Sequence, residues 1–89
     1  MRDIRYDHIK SIWKAGDLDS FSKIFTIIPK TTVSEDLGLS YGRFERKLRN
    51  PDLFTIREIR DLSELIDLDF RDLVNLILTE VIGVLADSV

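Results

Sequence analysis

The densest chemistry in this 89-residue chain is cationic: Arg43, Arg46, Lys47 and Arg49 stand within a few residues of one another, opposed only by Glu45. At about 100° per residue along a helix, Tyr41, Phe44 and Leu48 group on one side, while Gly42, Arg43, Arg46, Arg49 and Asn50 lie on the other. A guanidinium can bond guanine O6 and N7 together, an asparagine amide matches the edge of adenine, and a missing side chain permits close approach to a backbone or a thymine methyl. Gly42, Arg43, Arg46, Lys47, Arg49 and Asn50 are therefore candidate contacts to duplex DNA. Lys30, Thr31 and Thr32, one element earlier, add side-chain and backbone N–H donors for phosphates. This is the chemistry of recognition, not of bond breaking.

Other reactive constellations are missing from the sequence. His8 is the only histidine and there is no cysteine, so neither a metal site nor a disulfide is expected. The chain carries no phosphate-cradling glycine loop and no nucleophile motif. No catalytic residue and no cofactor is expected. The net charge of −3 conceals an uneven distribution. Residues 30–51 carry five basic and three acidic side chains, whereas residues 52–89 carry three basic and nine acidic ones. The basic segment thus keeps a local excess of positive charge that the average hides.

Helices must position these residues, because apolar spacing is helical throughout and strand alternation is nearly absent. Ile4, Ile9, Ile12 and Trp13 predict a first helix ending near Ala15-Gly16, and Phe21, Ile24, Phe25 and Ile28 a second, capped by Asp19 or Ser20. After Pro29 the spacing predicts a helix over 32–37, stopped by Gly38, and another over 41–49, capped by Ser40 and ended before Pro51. Thr55 and Glu58 form a capping box before the stripe Ile56, Ile59, Leu62, Leu65 and Ile66. Asp69 can cap a last helix from Phe70. The predicted fold class is all-α: a compact domain of five to six helices with short joints. Residues 1–19 read as an N-terminal helical extension, 20–78 as the central domain, and 70–89 as a C-terminal helix overlapping its end.

Two short helices crossing steeply need a small residue at the crossing, a turn residue that tolerates positive φ, and apolar anchors on both sides. Ser34, Gly38, and the set Val33, Leu37, Leu39 and Phe44 meet those needs, which is the pattern of a helix-turn-helix. From Phe21 to Ile77 the chain resembles the Cro and phage-repressor (Xre-type) family. The resemblance rests on Val33-Ser34, on Leu37-Gly38-Leu39-Ser40 with the basic helix after it, on the Pro51 break, and on Ile56–Leu65 followed by Ile66–Leu73. It implies a lambda-repressor-like architecture in which the helix over 41–49 enters the major groove, with Ser40, Tyr41, Gly42, Arg43 and Arg46 at bases or phosphates. Ser34 stands where that family usually has alanine, and the second anchor of the reading helix falls at Leu48, one residue late.

The last helix is apolar on two sides. Phe70, Leu73, Ile77, Val81 and Val84 form one stripe, and Val74, Leu78 and Leu85 a second. The first stripe is the expected interface of a homodimer. A different reading keeps the fold but uses this helix to bind another protein, as an antitoxin binds its toxin. No signal peptide or membrane-spanning run is expected, because charged residues interrupt every apolar stretch. The expected setting is the cytoplasm.

Overall fold

A computed structural model describes residues 3–87 of the chain, with side chains described as far as residue 82. These residues form six α-helices: α1 (Arg5–Lys14), α2 (Ile24–Ile27), α3 (Lys30–Leu37), α4 (Tyr41–Arg49), α5 (Ile56–Ile66) and α6 (Phe70–Asp87). A 3-10 turn at Pro51–Leu53 joins α4 to α5, and no strand occurs among the described residues. The all-α class expected from periodicity is the class observed.

Helix ends follow local chemistry closely. Gly16, Gly38 and Asp67 take left-handed conformations after α1, α3 and α5, with φ of 78°, 70° and 58°. In each case the next N–H reaches back five residues: Asp17 to the Ile12 carbonyl at 3.0 Å, Leu39 to Ser34 at 2.9 Å, and Leu68 to Ser63 at 3.0 Å. Those bonds occupy carbonyls that the end of a helix would otherwise leave unpaired. At the N-terminal ends, the hydroxyl of Ser40 accepts from the Arg43 N–H, Thr55 and Glu58 complete the capping box, and Asp69 accepts from the Arg71 N–H at 2.8 Å.

Two starts differ from expectation. Helix α2 begins after Lys23 with no side-chain cap, so neither Asp19 nor Ser20 caps it. The N–H groups of Ile24, Phe25 and Thr26 are already held by the carbonyls of Phe21, Ser22 and Lys23, which leaves nothing for a cap to satisfy. Helix α3 begins at Lys30 instead of Thr32. Pro29 occupies the cap position in an extended conformation, and its carbonyl takes the Val33 N–H.

Tyr6, Ile9, Ile24, Ile28, Val33, Phe44, Leu62, Ile66 and Leu73 are fully buried in one core. Helix α1 packs on α2 and α5, and the Tyr6 hydroxyl donates to Asp36 Oδ2 on α3 at 2.6 Å. The segment expected as an extension is therefore a wall of the core. Ile4 and Ile56, expected in apolar stripes, lie at the surface, at the N-cap of α1 and the first position of α5.

Phe21, Phe25, Phe44 and Phe54 make a closed circuit of edge-to-face contacts, with ring centroids 5.5 to 6.2 Å apart. Such geometry sets the positive ring edge against the negative face and adds to what burial contributes. The circuit joins the segment before α2, α2 itself, α4, and the residue after the 3-10 turn.

Helix α6 corrects the expected interface. Leu73 and Ile77 are buried in the core and half-buried Val81 packs against it, so these residues close the domain's own core, while Phe70 is half-buried at the start of the helix. Its partners, α5 and the 3-10 turn, take up the face that was assigned to a second copy. Val84 lies outside the residues whose side chains are described. In the second stripe Val74 is half-buried and Leu78 is 49% exposed, while Leu85 also lies outside the residues whose side chains are described; Ile82, beside this stripe, is 63% exposed. Among the described residues no helix is long and apolar enough to cross a membrane.

Candidate nucleic-acid interface

Helices α3 and α4 pack on each other across the turn Gly38-Leu39-Ser40 and form the helix-turn-helix unit. Ser34 is buried, and its hydroxyl donates to the Thr31 carbonyl at 2.9 Å. A serine therefore serves as the small residue without leaving a polar atom unpaired. A Cβ added at Gly38 would meet nothing within 4 Å, so glycine is favoured there by its positive φ and not by crowding. Phe44, with no exposed surface, sits in the phenylalanine circuit and fixes the rotation of α4 about its axis.

That rotation turns Gly42, Arg43, Arg46, Arg49 and Asn50 to solvent. Among the described residues, the side chains of Arg43, Arg46, Arg49 and of Lys30, at the start of α3, have no ion pair or hydrogen bond. Their charge is uncompensated locally. Gly42 has helical φ and open space where a Cβ would be, so nothing within the fold calls for glycine there. Lys30, Thr31 and Ser40 are exposed and Thr32 is half-buried. Ser40 also holds the first turn of α4 through its cap.

Three expected contacts have other duties. Tyr41, expected on the buried face beside Phe44 and Leu48, is 44% exposed. It occupies the first position of α4, and a hydrogen bond with Glu45 one turn on raises its phenol pKa above the ordinary value. Lys47 is turned from the open face onto α5, where its ammonium bonds both carboxylate oxygens of Glu58. It fastens α4 to its neighbour. Burial disfavours the charged form of Glu58, but bonds from Lys47 and from the Thr55 N–H outweigh it and hold the carboxyl below the usual glutamate value. Asn50 turns its amide back to the Arg46 carbonyl at 3.3 Å, so part of its hydrogen-bonding capacity closes the end of α4.

One feature of the surface has no clear signal in the sequence. Leu39 and Leu53 form an apolar wall beside Arg43, Arg46, Lys47 and Glu58, around a surface groove of about 340 Å³. Leu53 reads in sequence only as an apolar residue in a proline break; the 3-10 turn swings it beside the arginines. The face therefore offers both guanidinium donors and apolar contact. No group of residues that could hold a metal ion occurs among the described residues. Comparison with family models, curated proteins and solved structures returned no match to this chain.

Proposed function

We propose that the protein binds duplex DNA sequence-specifically, with α4 in the major groove, and acts as a transcriptional regulator. One observation carries the reading. Gly42 lies on an exposed helical turn, between arginines with no partners of their own, on a helix whose opposite face is locked into the core. Glycine disfavours a helix relative to alanine by up to about 1 kcal/mol at interior positions and by less in the first turn, where Gly42 stands, and no contact within the domain repays that loss. Close approach of a double helix accounts for it. The resemblance of the Phe21–Ile77 stretch to the Xre-type family supports the same assignment. Regulation would proceed by occupying a site, with two copies presenting two reading helices to a palindrome.

The test is enrichment of bound sequences from a random duplex pool, followed by titration of the winner. Arg46→Ala should weaken binding by about 1–3 kcal/mol if that arginine reads a guanine. Gly42→Gln should leave the fold intact and reduce affinity, and binding should fall steeply as salt rises. A folded Arg43→Ala/Arg46→Ala protein that binds the selected duplex as tightly as wild type would overturn the proposal.

A further inference from the structure

A second concavity, of about 280 Å³, lies between α2, α4 and α6. That is close to the lower end of small-molecule sites, roughly 300–1,000 Å³. Its apolar surface comes from Phe25 and Leu48, backed by Phe21, which meets Phe25 edge-to-face with centroids 5.5 Å apart. Phe21 is sealed into the core, whereas Phe25 and Leu48 are only partly covered. Lys30 and Arg49 stand at the margin with Glu80. None of these three has an ion pair or side-chain hydrogen bond among the described residues. Two cations and one carboxylate leave a single positive charge beside an aromatic surface.

We propose that this groove binds a small apolar carboxylic acid, its hydrocarbon body on Phe25 and Leu48 and its carboxylate at Arg49 and Lys30. Charge selects the class: a monoanion balances the margin, and a planar guanidinium matches a carboxylate through two parallel bonds. The groove is separate from the uncovered stripe of α6, because Glu80 and Ile82 project about 160° apart around that helix. A consequence rests on the DNA-binding reading. Lys30 and Arg49 are candidate phosphate contacts, so the acid and the duplex would draw on the same two cations and bind at each other's expense.

The test uses the full chain without DNA, titrated with phenylacetate and separately with uncharged phenylacetamide, followed by proton–nitrogen correlation spectra. Phenylacetate should give saturable shifts centred on the amides of Phe25, Lys30, Arg49 and Glu80. Loss of the charge-assisted bonds should make the amide roughly tenfold weaker or more. Arg49→Gln should weaken the acid by a similar factor and leave the amide unchanged. Thr26→Trp, at an exposed position on the margin, should keep the fold and block both. Equal binding of acid and amide, shifts centred elsewhere, or no saturation at tens of millimolar would overturn the site. Release of a selected duplex by phenylacetate would establish the competition, and acid binding without release would overturn it. Failure to bind any duplex would refute the DNA reading alone, because the first titration contains no DNA.

Discussion

Arg46 and Lys47 are neighbours with the same charge, yet among the described residues one has no partner at the surface and the other is held between two helices. At the scale of the residue, function here depends less on type than on which way α4 turns each side chain. Gly38 shows the complementary case, where residue type is decisive. Its φ of 70° suits glycine, and a left-handed conformation disfavours other residues by roughly 1–2 kcal/mol. Because a Cβ there would touch nothing, the effect of substitution should be conformational alone. Gly38→Ala should lower stability to chemical denaturation by about 1 kcal/mol, Gly38→Asn by less, and Gly38→Val by as much as about 3 kcal/mol. An alanine variant as stable as wild type would place the strain of the turn elsewhere.

Among the elements, the critical seam joins α4 to α5. The basic face is set by Phe44 from within and by the Lys47–Glu58 pair at the edge, and Glu58 also closes the capping box of α5. Its carboxyl is held below the ordinary value of 4.5. A group whose folded pKa is depressed contributes stability above its unfolded pKa and loses it as pH falls through the folded one. Stability should therefore decline on acidification below about pH 4.5, the glutamate reference. Glu58→Gln should remove this group's share of the decline and lower stability near neutral pH by about 1–2 kcal/mol through the weakened cap and pair. Parallel denaturation curves of wild type and Glu58→Gln across pH would decide it: identical slopes in the acid range would show that the pair contributes nothing.

For the whole molecule, the surface that α6 leaves uncovered bears on self-association. The core takes Leu73 and Ile77, leaving Leu78 and Ile82 outside on a face shared with Asn75 and Thr79. Those four residues are uncharged, and the exposed Arg71 lies two turns before Leu78 on the same side, so two copies of α6 can pair antiparallel about a twofold axis without setting like charges together. We expect a homodimer through this stripe. Each such side chain, when fully buried, contributes roughly 1.5–3 kcal/mol before the cost of association. Light scattering coupled to size exclusion should give twice the 10.3 kDa of one chain for wild type, and one chain for Leu78→Glu/Ile82→Glu with its melting temperature little changed. Ile77→Glu should instead unfold the domain, because it places a charge in the core. A monomeric wild type would remove the dimer and leave the stripe to another protein.

Signals that act over a few residues were legible in the chain itself: the glycine after α3, the Ser40 cap, the Thr55–Glu58 box, the proline break, and the helical period that makes the fold all-α. Each is a bond or a dihedral preference between residues close in sequence, so the fold need not be known to read it. The basic stripe of α4 was legible for the same reason, since helical period places Gly42, Arg43, Arg46 and Arg49 together. Period cannot say what lies across the gap between elements. Only tertiary packing drew Lys47 to Glu58, left Tyr41 outside, brought Tyr6 to Asp36, and swung Leu53 beside the arginines. Packing likewise chose between the two apolar stripes of α6. Sequence marks both as apolar, five residues against three; the one that met α5 and the 3-10 turn became core, and the other keeps Leu78 at the surface.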